Sequence, residues 1–144
     1  METVSVRTHK KLQVKITTGQ GHTIIADEPV ADGGENAGPP PFELLLSALG
    51  ACTAMTLVLY IRRKQWPVEG VEVDLDHSRV PGVKPADPNA ATPVIDRIGV
   101  RVRVKGPLDE EQRQRLAYVA SRCPVCRALT GSPEVVETLE VVSG

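Results

Sequence analysis

Three cysteine residues are the side chains in this sequence best suited to chemistry: Cys52, Cys123 and Cys126. A cysteine thiolate is a nucleophile and a metal ligand, so redox chemistry and zinc binding are the candidate activities. The last two cysteines form the motif CPVC, which is typical of half a zinc site or of a redox dithiol. Structural zinc normally has four N or S ligands, and no second motif of this kind is present. Zinc would therefore need Cys52 and a distant histidine, and the redox interpretation is favoured.

The CPVC motif also predicts which of its thiols is reactive. Pro124 suits the first position of a helix, which places Cys123 at the N-cap. A thiol at this position faces free backbone N–H groups and the positive end of the helix, and both stabilise a thiolate. Its position at a helix N-terminus therefore predicts that Cys123 is a reactive cysteine.

Cys52 has a different local environment, because it lies inside a long apolar stretch, Phe42–Lys64. Buried cysteines often act only as small hydrophobic residues. In apolar surroundings a thiol resists ionisation, so a nucleophilic Cys52 would need a cation brought from elsewhere. A second subunit could provide it, and so could basic residues of the first predicted strands: Arg7, Lys10, Lys11 and Lys15.

The apolar stretch predicts a long helix that organises the chain. It carries no charge between Leu44 and Ile61, three prolines precede it, and Pro67 ends it. Nearly every face is apolar, so we expect the helix to be buried on all sides. Its uncharged part is ~27 Å long, slightly short for a membrane span, and small polar residues dilute it. A central helix of a soluble domain, without a membrane, is the favoured interpretation.

Alternation of apolar and polar residues predicts strands that this helix would cover. The predicted strands are Val4–His9, Leu12–Thr17, His22–Asp27, Val71–Asp76, Ile98–Lys105 and Val135–Val142. The outward-facing residues of the fourth predicted strand are acidic, and those of the fifth are basic. Opposite charges attract across neighbouring strands, which suggests that these two strands pair. Ser78–Pro93 is proline-rich and predicts a loop without helix or strand. Two more helices are predicted, one from an N-cap at Asp109 to about Arg122 and one over Pro124–Leu129.

Composition limits the class of protein. The 144 residues fit a single domain, 1–144. Seventeen basic against eighteen acidic residues and 3% aromatics argue against nucleic acid as a partner. The start, METVSVRTHKK, lacks the apolar stretch of a signal peptide, so we expect a cytoplasmic protein with reduced thiols.

The motifs GPPPFELLLSALGACTAMTL, KQWP, LDEEQRQRL and SRCPVC together resemble the osmotically inducible protein C / organic hydroperoxide resistance (OsmC/Ohr) family. The resemblance extends from DEPVADGG to the last predicted strand. It implies an α+β fold, with antiparallel sheets packed on a long central helix, assembled as an intertwined homodimer. It implies no cofactor and no metal.

The activity implied by the resemblance is that of a thiol peroxidase for organic or hydrogen peroxides. Cys52 matches the peroxidatic cysteine and Cys123 the resolving cysteine, and a dithiol of the lipoyl type would re-reduce their disulfide. In the hydroperoxide-resistance branch a glutamate ten residues before the peroxidatic cysteine pairs with an activating arginine. Phe42 stands at that position, and the nearest carboxylate is Glu43. Glu43, our third catalytic candidate, could serve the site from an irregular first turn or across a dimer.

Cys126 stands where family members often carry a histidine. It is either a spare buried thiol or part of a dithiol peculiar to this chain. In the second case, exchange could move a first Cys52–Cys123 disulfide to Cys126. Two alternatives to a peroxidase stay open: a non-catalytic protein that binds a small molecule or senses redox state through its thiols, and a zinc-stabilised domain.

Overall fold

A computed structural model describes residues 1–143, and within them it shows an α+β arrangement with two antiparallel sheets and three α-helices. The predicted fold class is confirmed. The elements in chain order are β1 (Val4–Thr8), β2 (Val14–Thr18), β3 (Thr23–Ala26), a 3-10 turn (Val30–Asp32), α1 (Pro41–Lys64), β4 (Gly70–Pro81), β5 (Val94–Lys105), α2 (Glu110–Ala120) and α3 (Pro124–Thr130).

The chain divides into two compact units. The first unit contains Met1–Ala48 and Leu75–Gly99, and the second contains Leu49–Asp74 and the chain from Val100 onward. The single domain over residues 1–144 stays a prediction.

The first unit contains an antiparallel meander, β1-β2-β3, formed by the first three predicted strands. Ile16 in the middle strand lies opposite Val6 on one side and Ile24 on the other. The side-chain oxygens of buried Asp27 accept hydrogen bonds from the backbone N–H groups of three loop residues: Glu28, Glu35 and Ala37. These bonds hold the loop between β3 and α1 against the end of the meander.

The charges on β4 and β5 meet in the second unit. The guanidinium of Arg103 contacts the carboxylates of Glu72 at 2.9 Å and Asp74 at 2.8 Å, and Lys105 pairs with Glu69 at 3.2 Å. The predicted pairing of the fourth and fifth strands is therefore confirmed. The ion pairs are exposed, so they help to set the register of the strands and add little to the free energy of unfolding.

The apolar core of the second unit forms on one face of α1. Leu57 and Ile61 from this face pack with Leu116 of α2, and Leu57 has no exposed surface. On other faces of α1, Met55 is 65% exposed and Leu59 is 62% exposed. The prediction that the helix is buried on all sides is thus wrong for a single chain, which is too small to cover a helix of this length completely. By length and composition alone, α1 could also cross a membrane, a property shared by core helices of soluble proteins.

Two other predictions are wrong. Ser78–Pro81, predicted as loop, belongs to β4. The strand continues past its row of acidic residues and ends at Pro81. The predicted last strand, Val135–Val142, is not formed in the described part of the chain, and its apolar side chains are exposed. Alternation alone does not make a strand, because the backbone also needs a neighbouring strand for its hydrogen bonds.

Candidate functional site

The buried thiol of Cys123 lies at the N-cap of α3, as the motif predicted. Pro124 occupies the first turn, and the Cys123 Sγ accepts a hydrogen bond from the backbone N–H of Cys126 at 3.3 Å. The residue has no exposed surface. The helix thus directs one of its free N–H donors at a sulfur that is shielded from water.

A second polar partner of Cys123 comes from α1. The Thr53 hydroxyl lies 3.5 Å from the Cys123 Sγ, and Thr53 is itself 2% exposed. The two residues are 70 positions apart in the chain. Sequence reasoning missed Thr53, and its only signal was a hydroxyl next to Cys52 in a mostly apolar stretch.

Opposing effects act on the pKa of the Cys123 thiol. Burial raises this pKa, but hydrogen bonds from Thr53, from the backbone of Cys126 and from Cys52 lower it, with a further contribution from the backbone of Val125. The net pKa lies below the ordinary value of a cysteine. Cys123 therefore reaches its thiolate form at a lower pH than an isolated cysteine would.

Removing the Thr53 hydroxyl tests this assignment. In a Thr53→Val variant, which keeps the shape of the side chain, we expect the pKa of Cys123 to rise because a donor to the thiolate is lost. The carbon-13 chemical shift of the Cys123 β-carbon, followed with pH, measures this pKa at a single site. A Thr56→Val variant makes the same change elsewhere on α1 and should leave the titration of Cys123 in place.

The same titration has a consequence for stability. Because the pKa of Cys123 is lowered by folding, ionisation stabilises the native state fully above the pKa of the unfolded chain. This contribution is lost as the pH falls through the lower pKa of the folded protein. The rise of unfolding free energy with pH should therefore be smaller in Thr53→Val. An unchanged titration and an unchanged pH dependence would show that the hydroxyl does not support the thiolate.

The structure brings two of the three predicted site residues together. On α1 the half-buried Cys52 directly precedes Thr53, whose hydroxyl contacts the Cys123 Sγ, and Cys52 is one of the groups that lower the pKa of Cys123. Cys126, also half-buried, follows in the first turn of α3. All three cysteines are free thiols in this structure. The site is thus a cluster of thiols built from α1 and the start of α3.

The third predicted residue, Glu43, is exposed in the regular first turn of α1. Phe42 beside it stacks on the His77 ring, with centroids 4.1 Å apart, and His77 in turn contacts Asp96 at 2.8 Å. The irregular turn that would have redirected Glu43 is not observed. A role for Glu43 in the site stays a prediction.

The basic residues considered as activators of Cys52 are partly engaged elsewhere. Lys10 and Lys11 both pair with the carboxylate of Glu35, at 3.3 and 2.8 Å. This ion pair raises the pKa of Lys11 through its hydrogen bond to Glu35. The identity of the activating cation stays open. In residues 1–143 no group of three or more histidine, cysteine or acidic side chains is arranged to hold a metal ion.

A cavity of about 940 Å³ opens beside the thiol cluster in the second unit. Many of its lining residues are aliphatic, with Leu49, Leu57 and Leu116 among them. The polar and thiol groups in the wall come from Thr53, Arg103, Arg113, Ser121 and Cys126. Such a space suits a mostly apolar molecule held next to a sulfur.

Comparisons with known proteins concern the family and the fold of the chain. The family profile described as OsmC-like protein matches residues 33–138. No curated protein sequence matches the chain closely enough to count as a relative.

Solved structures share the fold at low sequence identity. An OsmC-like protein from Mycoplasma pneumoniae has a TM-score of 0.71 at 21% identity, covering 92% of this chain and 89% of its own. An organic hydroperoxide resistance protein OsmC from Legionella pneumophila has a TM-score of 0.65 at 17% identity, covering 93% and 92%. An organic hydroperoxide resistance protein from Elizabethkingia anophelis, with thiocyanate bound, has 0.66 at 15% identity, covering 93% and 91%. At these identities the likeness concerns the fold.

Proposed function

This chain belongs to the OsmC-like protein family, and from that membership we propose that it is a thiol-dependent peroxidase that reduces organic or hydrogen peroxides. The observation that carries the proposal is the position of Cys52 directly before Thr53, whose hydroxyl lies 3.5 Å from the Sγ of the buried Cys123. Two of the similar structures are named as organic hydroperoxide resistance proteins, which supports the same substrate class.

The proposed reaction uses Cys52 as the nucleophile. Its thiolate attacks one peroxide oxygen, the O–O bond breaks, and the other oxygen leaves as an alcohol or water after taking a proton. Cys52 is then a sulfenic acid. The Cys123 thiolate attacks the Cys52 sulfur, a disulfide forms, and hydroxide leaves and is protonated to water. The lowered pKa of Cys123 supports this second step, because the thiolate is the attacking form.

Turnover requires an external reductant for the disulfide and a binding space for the peroxide. We propose a small dithiol of the lipoyl type, which would donate two electrons to the disulfide and become oxidised itself. The aliphatic cavity favours organic hydroperoxides as substrates, because an apolar substituent would be removed from water there. A cytoplasmic location and a homodimeric assembly belong to the same proposal.

Peroxide consumption by the purified protein tests the function. With dihydrolipoamide in excess, we expect cumene hydroperoxide to be consumed over many cycles, at a rate proportional to protein concentration. Consumption that stops once the thiols of the chain have been oxidised would contradict a peroxidase.

A redox sensor is the second candidate function. It is favoured by Phe42 at the position of the family glutamate and by the exposure of Glu43. A sensor would be oxidised once by peroxide without continuous turnover. The same assay therefore separates the two functions.

A further inference from the structure

We propose that Cys126 is a third redox-active cysteine, which takes over the disulfide from Cys52 and presents it to the external reductant. The proposal rests on the peroxidase function proposed above and adds a step to it. It assigns a chemical role to the thiol that distinguishes this CPVC motif.

The first support is the geometry of the motif. Cys123 is the N-cap of α3 and Cys126 is the third residue of the helix, with its N–H donating to the Cys123 Sγ at 3.3 Å. Residues three apart in a helical turn have Cα atoms ~5 Å apart, within the range that a disulfide can bridge. Cys52 directly precedes Thr53, whose hydroxyl lies 3.5 Å from the Cys123 Sγ, so Cys52 also neighbours the Cys123 thiol. Cys123 thus has two cysteine neighbours with which it can form a bond.

The second support is access. A disulfide is reduced by attack of a thiolate on one of its sulfurs, so the reductant must reach a sulfur. Cys123 has no exposed surface. Cys126 is half-buried and forms part of the cavity wall, which neither Cys52 nor Cys123 does. A small dithiol entering the cavity would therefore meet Cys126 first.

The relay conserves atoms and electrons. The Cys126 thiolate attacks the Cys123 sulfur of the Cys52–Cys123 disulfide. The Cys123–Cys126 bond forms, the Cys52–Cys123 bond breaks, and the electron pair leaves on Cys52 as a thiolate. The proton lost by Cys126 balances the one that Cys52 can take up. Oxidation state is unchanged overall, and Cys52 is ready for another peroxide.

Reduction then begins at Cys126. One thiolate of the external dithiol attacks the Cys126 sulfur, and Cys123 leaves as a thiolate. The second thiol of the reductant attacks its own mixed-disulfide sulfur and releases Cys126. Cys123 suits the role of leaving group, because hydrogen bonds from Thr53 and the helix N-terminus stabilise its thiolate.

Disulfide mapping in the absence of reductant tests the relay. The full-length protein is treated with one equivalent of cumene hydroperoxide, free thiols are blocked, and the bridged peptides are identified by mass spectrometry. We expect a Cys123–Cys126 bridge with Cys52 free in the native sequence, and a Cys52–Cys123 bridge in Cys126→Ser. Cys126→Ala serves as a second variant without the thiol and should match the serine variant.

Peroxide stoichiometry gives a second readout. Because the relay frees Cys52, the native protein should consume roughly two equivalents of peroxide per chain, and Cys126→Ser roughly one. The second equivalent should leave a sulfenic acid on Cys52, which dimedone would label.

Other results of these experiments would contradict either the relay or the peroxidase function. A Cys52–Cys123 bridge that persists in the native protein, with Cys126 free, would overturn the relay and leave the peroxidase intact. Equal formation of the Cys123–Cys126 bridge in a Cys52→Ser variant would also overturn it, because the dithiol would then react directly. If neither a Cys52–Cys123 bridge nor a sulfenic acid at Cys52 forms in Cys126→Ser, the proposed peroxidase function itself is wrong.

Discussion

Replacing Cys52 with serine is expected to reduce hydroperoxide turnover to the uncatalysed background. The Cys52→Ser side chain is close to the original in size, so the fold should persist, but a serine hydroxyl does not form a sulfenic acid. Consumption of cumene hydroperoxide with excess dihydrolipoamide measures the loss of activity. Circular dichroism and the unfolding midpoint show whether the fold persists.

The matched control is Cys123→Ser, which leaves the proposed nucleophile in place. This variant should still form one sulfenic acid per chain at Cys52, detectable by dimedone, but should not form the Cys52–Cys123 disulfide that permits recycling. If Cys52→Ser keeps most of the native activity, the proposed roles of the cysteines are wrong, and the CPVC pair becomes the candidate redox centre.

The second large effect is expected in the assembly of the protein, which we predict to be an obligate homodimer. Met55 and Leu59 are one turn apart on α1 and are 65% and 62% exposed in the single chain. Burying such a side chain completely is worth about 1.5–3 kcal/mol, so covering this face with a second copy would stabilise the helix substantially. Sedimentation of the native protein at micromolar concentration should show a dimer and no stable, folded monomer.

A charge placed on this face tests whether the helix lies at the interface. Leu59→Asp should shift the protein to monomers or unfold it, because the partner would bury an unpaired carboxylate. Gln20→Asp adds the same charge in the exposed turn between β2 and β3 and should leave the dimer unchanged. A native protein that sediments as a stable, folded monomer would contradict the prediction.

Local sequence patterns determined most of the secondary structure. The meander, the long helix, the paired charged strands and the capping box at Asp109 follow from interactions between residues that are near in sequence or in adjacent strands. The N-cap position of Cys123 belongs to the same group, because a proline at the next position suits the first turn of a helix and is excluded from its interior.

The last predicted strand shows where local patterns are insufficient. Val135–Val142 alternates as a strand does, but none of the described strands pairs with it. The burial of α1 shows the same limit, because an apolar helix does not specify which of its faces the chain will cover. Both features depend on whether other parts of the molecule can pair with the strand or cover the helix.

The sequence by itself predicted that thiols carry the chemistry of this protein, and it determined that Cys123 lies at the N-cap where α3 begins. Only the tertiary structure placed Cys52 and Thr53 against Cys123 and put Cys126 in the wall of the cavity. The physical reason is the range of the interactions. A helix cap acts over four residues or so, whereas a hydroxyl donor 70 positions away is positioned by the packing of α1 against the core. The pKa of the buried thiol follows from that packing.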